Sequence, residues 1–120
     1  MTRTLAVKLT CGAEAPERAN QALTVAASAV AMGAEVSLWL TGEAVWFAVR
    51  NRDPDLGLEH AMATTDLLAA VLATEQVRVC SQCAARRSIT EDDLMVGARI
   101  AGAAAFTEVV LRTDVQALVY

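Results

Sequence analysis

The chain has 120 residues, 55% of them hydrophobic but only 4% aromatic, and carries a net charge of −4 at pH 7. That length supports one core without disulfide staples, and the core must be aliphatic and small, since alanine alone supplies about a fifth of the residues. A pI near 4.9 with no basic run excludes the positive stripe that a phosphate backbone needs, so no nucleic-acid partner is expected, while a mean hydropathy of +0.38 in so small a chain predicts a homo-oligomer.

Residues 4–10, TLAVKLT, alternate and are rich in β-formers, which predicts a first strand. Lys8 interrupts it where a secretory signal would be uniformly apolar. Cys11-Gly12 breaks the run. Pro16 suits the first turn of a helix, Glu17 complements its dipole, and Ala22, Leu23, Ala26, Ala27 and Val30 recur at helical spacing. With Gly33 as its C-terminal cap, this helix spans residues 16–32. Its most apolar part, Ala22 to Ala34, is too short to span a bilayer and is closed by Glu35, so no membrane association is expected.

EVSLWL, 35–40, reads as a second strand, Thr41-Gly42 as a turn and EAVWFAVRN as a short helix. Residues 51–63, with Pro54 and Gly57, form the longest irregular stretch. Thr64 or Thr65 can cap a helix whose apolar face is Leu67, Leu68, Val71 and Leu72. VRVC, 77–80, is a third strand, followed by a short helix at 82–87. Thr90 and Asp93 have the spacing of a capping box, with Asp in place of Glu or Gln. GARIA, 97–101, fits either a strand or part of a helix. Ala103 to Arg112 reads as a helix with Phe106, Val109 and Val110 on one side, and VQALVY, 115–120, as the closing strand.

Strands alternate with helices throughout, with no repeat and no linker. This predicts a single three-layer α/β/α domain over residues 1–120, with a mainly parallel five-stranded sheet. Ligands of such sheets bind beyond the carboxyl ends of the strands. Cys11, Gly42 and Cys80 each follow a predicted strand, so parallel strands would bring all three to one rim.

The segment VRVCSQCAARRS, 77–88, concentrates the chemistry. A thiol is nucleophilic as thiolate, and its pKa falls at a helix N-terminus and near fixed positive charge. Cys80 stands between a strand and a short helix, with Arg86 and Arg87 following as candidates to stabilise a thiolate or an incoming anion. An odd cysteine count of three argues against a secreted disulfide framework and points to a reducing cytoplasm. Four readings fit the pattern. Cys80 could carry a persulfide. Cys80 and Cys83 could act as a dithiol pair. The thiols could bind zinc, although a single CxxC, one further cysteine and one histidine make a poor ligand set, and neither metal nor cofactor is expected. Or the cysteines could be small core residues.

The same segment, an apolar strand ending in Cys80, an alanine-rich stretch and Arg86-Arg87, resembles the motif of the DsrE/DsrF-like sulfur-relay family. The tail ITEDDLMVGARIAGAAAFTEVVLRTDVQALVY and the segment AASAVAMGAEVSLWLTGEAV are similar to that family's pattern as well, so the likeness covers essentially the whole chain. It implies a small α/β domain assembling as trimers or hexamers, with sulfur donor and acceptor proteins as partners. It also implies a sulfurtransferase-like carrier whose sulfur-accepting cysteine is Cys80, and it makes GARIA a strand. Cys83 departs from the small apolar residue common in carriers, which keeps the dithiol reading open, and Ser88 departs from the glycine that usually follows the arginines.

The remaining polar and aromatic residues have plainer expectations. Cys11 could be a resolving thiol across the rim but is expected as a small residue in a loop, and His60, a proton shuttle only if its loop folds over Cys80, is expected as a solvated loop histidine. Glu91, Asp92 and Asp93 read as complements to a helix start rather than as metal ligands. Trp39, Trp46 and Phe47 cluster near the second strand, as core packing or as a pocket mouth. Met32, Met62 and Met95 read as gap fillers.

Overall fold

The computed structural model describes residues 3–52 and 54–120. Five strands, β1 (Thr4–Leu9), β2 (Glu35–Leu40), β3 (Val77–Cys80), β4 (Ala98–Ala101) and β5 (Val115–Val119), form one all-parallel sheet in the order β4-β3-β2-β1-β5. The helices are α1 (Pro16–Ala31), α2 (Thr64–Leu72), α3 (Ser81–Arg86) and α4 (Ala103–Val110). The chain steps in one direction from β1 to β4, then doubles back to place β5 beside β1. Right-handed crossovers in opposite directions put their helices on opposite faces, so α4 covers the face that α1 and α2 leave open.

Register decides what each face carries. Lys8 pairs with Trp39, Trp39 with Arg78, and Cys80 with Ala101. With a period of two, Ala6, Lys8, Ser37, Trp39, Arg78 and Cys80 therefore share the α4 face. Val7, Leu9, Val36, Leu38, Leu40, Val77 and Val79 face the other way, into the core beneath α1 and α2. There α1 presents Ala19, Ala22, Leu23 and Ala26, all buried, and its alanines allow a close approach to the sheet. The helix ends in a Schellman arrangement, in which Gly33 N–H donates to the Val30 carbonyl and Ala34 N–H to that of Ala29.

The short helix expected after the Thr41-Gly42 turn is present as a 3-10 helix, Gly42–Ala48. Val45, Trp46 and Phe47 are weak helix formers, and Ala44, Val45, Phe47 and Ala48 are all buried, so packing on several sides sets the backbone rather than one amphipathic stripe. The expected threonine cap of α2 is corrected: Ala63 is its N-cap and Thr64 is already helical. The Thr90–Asp93 capping box is present, as expected, and opens a 3-10 turn, Glu91–Asp93, where the Asp93 carboxylate accepts the Thr90 N–H at 2.8 Å. GARIA is a strand, as the family resemblance implied.

The α4 side is thinly covered. Helix α4 buries no residue fully, and Leu111 and Val119 remain 76% and 66% exposed. Among the described residues no helix is long and apolar enough to cross a membrane.

Candidate functional site

Cys80 is both the last residue of β3 and the residue that precedes α3. Its half-buried side chain lines a cavity of about 50 Å³ on the α4 face, with Lys8, Trp39, Thr41, Ala101, Gly102, Ala103 and Phe106 as the other walls. The aromatic walls meet edge to face, Trp39 and Phe106 with centroids 5.2 Å apart. Trp39 is fixed from below, because its Nε1–H donates to Ser37 Oγ at 2.7 Å. The Lys8 ammonium lies 4.8 Å from the centre of the Phe106 ring, so a cation–π contact holds it over the cavity.

Burial pushes the Cys80 thiol up. The backbone N–H and thiol of Cys83, the backbone N–H of Gln82 and the charge of Lys8 together outweigh it, and the net direction is down from the ordinary thiol value. The neutral thiol itself makes no capping hydrogen bond. The amides at the second and third positions of α3 instead favour the anion once the proton is lost.

Cys83, also half-buried, sits one turn along α3, where its Sγ accepts the N–H of Gly42 at 3.2 Å. Gly42 holds that position at φ +56°, and a Cβ there would come within 2.8 Å of the Thr10 carbonyl oxygen, so only glycine fits. Arg87 locks the same junction. Its Nε–H donates to Glu43 Oε2 at 2.8 Å, and a second guanidinium N–H donates to the Cys83 carbonyl at 3.0 Å.

The structure thus brings together Cys80, Cys83 and Gly42, with Arg87 behind them, but it distributes their roles unevenly. Arg87 is engaged by Glu43, and Arg86 is exposed. The positive charge that bears on Cys80 is Lys8, from β1. Cys11 follows β1 as expected, yet it is buried in the core, its thiol 3.9 Å from the Ala15 carbonyl. Burial is the main reason its pKa is raised. Cys11 and Gly42 are not among the cavity walls; Thr41 is. His60 is exposed in its loop. The acidic triplet is used structurally, with Glu91 accepting the Ile100 N–H at 2.9 Å and Asp93 accepting that of Thr90. Of the three clustered aromatics only Trp39 reaches the cavity; Phe47 is in the core and Trp46 stacks under Arg52. Met32 and Met62 are exposed rather than filling gaps. Among the described residues no group of three His, Cys, Asp or Glu side chains is arranged to hold a metal.

Lys8 and Phe106 are the site residues that sequence reasoning missed. Lys8 would have been found from its position two residues before Thr10 on a strand parallel to β3, had the strand order been known.

Thiol reactivity should follow this geometry. With iodoacetamide across a pH series, Cys80 is expected to alkylate down to lower pH than Cys11, since the rate follows the thiolate fraction. Replacing Lys8 with Met removes a charge that favours the anion, so the Cys80 midpoint should move to higher pH while that of Cys11 stays in place.

A match to the DsrE/DsrF-like family spans residues 5–116. An uncharacterized protein of Methanocaldococcus jannaschii is 34% identical over 91 residues, 73% of this chain and 77% of its own. Among solved structures, the YchN protein from E. coli superposes over the full length of both chains with a TM-score of 0.80 at 20% identity. A protein of unknown function from Methanobacterium thermoautotrophicum does so with a TM-score of 0.65 at 12% identity. These two share the fold. The chain belongs to the DsrE/DsrF-like family, which is associated with sulfur relay and commonly forms oligomers.

Proposed function

We propose that Cys80 carries a sulfane sulfur as a persulfide and passes it to a partner thiol. The Cys80 thiolate attacks the outer sulfur of a donor persulfide, the donor thiolate leaves, and Cys80–S–SH results. An acceptor thiolate then attacks that outer sulfur and releases the Cys80 thiolate. No electrons are gained or lost overall, so no cofactor is required.

The observation that carries this reading is the cavity beside Cys80. Its volume of about 50 Å³ exceeds the roughly 30 Å³ share of one water molecule but is far below that of a metabolite pocket. One added sulfur fits there. The aromatic walls suit a polarisable sulfur, and Lys8 offsets the charge of a persulfide anion. Donor and acceptor are then proteins or small persulfides that present a single sulfur at the rim. The chemistry needs reduced thiols, which a reducing cytoplasm would maintain. Brief exposure of the reduced protein to glutathione persulfide, quenched with acid, should add about 32 Da for one sulfur, and a small acceptor thiol added before the quench should remove it. A protein whose mass does not change would instead be a binding module with an inert thiol.

The thin cover over the α4 face supports a homo-oligomer. Leu111, exposed at the end of α4, and Val119, exposed on β5, are apolar surface of the kind that a second copy covers. Light scattering coupled to gel filtration is expected to give the mass of three or six chains; a monomer would contradict this part of the proposal.

A further inference from the structure

We propose that Cys83 is a resolving thiol that discharges an undelivered Cys80 persulfide, releasing hydrogen sulfide and leaving a Cys80–Cys83 disulfide. The inference rests on the reading of Cys80 as a sulfur acceptor and adds an activity to it.

Three observations lead here. Cys83 follows Cys80 by one helical turn, the spacing at which a residue preceding a helix meets the third helical residue. Its sulfur is half-buried and receives the Gly42 N–H at 3.2 Å, a donor that stabilises negative charge on sulfur as the attack begins. Gly42 is itself packed against the Thr10 carbonyl, and Arg87 pins the Cys83 carbonyl to the Glu43 segment, so this second thiol is held rather than free to rotate away. Cys11, by contrast, is in the core and takes no part.

The step balances without an added oxidant. Cys80–S–SH and Cys83–SH give Cys80–S–S–Cys83 and one molecule of hydrogen sulfide. The Cys83 sulfur attacks the inner sulfur of the persulfide, a new S–S bond forms to Cys80, and the old S–S bond breaks. Its electron pair leaves with the outer sulfur, which takes up the Cys83 proton and departs as hydrogen sulfide. A second round requires an external thiol to reduce the disulfide. The persulfide therefore has a limited lifetime on this chain, and delivery to an acceptor competes with release as sulfide.

A single-turnover experiment tests this. Reduced native protein, Cys83→Ala and Cys83→Ser are exposed briefly to glutathione persulfide and desalted. Released sulfide is then trapped with monobromobimane while intact mass is followed. The native protein is expected to release about one equivalent of sulfide as its mass falls from about 32 Da above the reduced chain to about 2 Da below it. Both variants should keep the added sulfur and release none. Native protein that retains the sulfur as long as the variants, or peptide mapping that finds it moved onto Cys83, overturns the resolving role and leaves Cys80 as the acceptor. Absence of loading in all three proteins overturns the acceptor reading and this inference with it. Two variants are used so that a packing defect at position 83 in one is exposed by the other.

Discussion

Cys80→Ser is expected to abolish sulfur loading completely while changing stability by less than about 0.5 kcal/mol. A hydroxyl cannot form a persulfide, so no residual reaction at position 80 survives. The side chain is half-buried at the end of a strand, and the change is close to isosteric, which keeps the cost within the range of ordinary surface substitutions. The unchanged fold separates this result from a general defect. Cys11→Ser should show the opposite pattern. Loading is retained, but a polar group is placed in the core at a site only 5% exposed, and the melting temperature falls. Loading is read from intact mass and stability from thermal unfolding of the same samples.

Phe47→Ala is expected to cost about 3–5 kcal/mol, a large share of the roughly 5–15 kcal/mol that holds a domain of this size together. Phe47 is the largest of the fully buried side chains in a core otherwise filled by Leu, Val, Ala, Ile89 and Cys11, and small neighbours cannot collapse into the space it leaves. The loss reaches the site because Phe47 anchors the 3-10 segment that supplies Gly42 and Glu43, the partners of Cys83 and Arg87. Chemical denaturation should show a lowered midpoint with an unchanged slope. Cys83 in the variant should alkylate faster than in the native protein.

How far the sequence carried this picture depended on the range of the interaction. TLAVKLT and EVSLWL declared themselves as strands through alternation or a continuous apolar run, and Pro16 and Gly33 bounded α1, because those signals are local. The Gly42–Ala48 segment was legible as a short helix but not as a 3-10 helix, because its backbone is set by burial on several sides, which no periodicity records. Cys80 was legible as the centre of the candidate site from its strand-end position. Its surroundings were not. Lys8 and Phe106 come from β1 and α4, and they meet Cys80 only because the chain doubles back to put β5 beside β1 and α4 on the open face. Arg86 and Arg87, close in sequence, looked like the natural source of positive charge. Glu43, which binds Arg87, lies on a segment whose path a reading of residues 77–88 does not contain.

The most direct test is to find where the added sulfur sits. Cys83→Ala protein, in which no neighbouring thiol can discharge the persulfide, is loaded with equimolar glutathione persulfide, blocked with iodoacetamide and mapped by peptide mass spectrometry. The account predicts that the peptide containing Cys80 carries the extra sulfur, about 32 Da, and that the Cys11 peptide does not. Sulfur on Cys11, or an unmodified Cys80 alongside unconsumed donor, would contradict it.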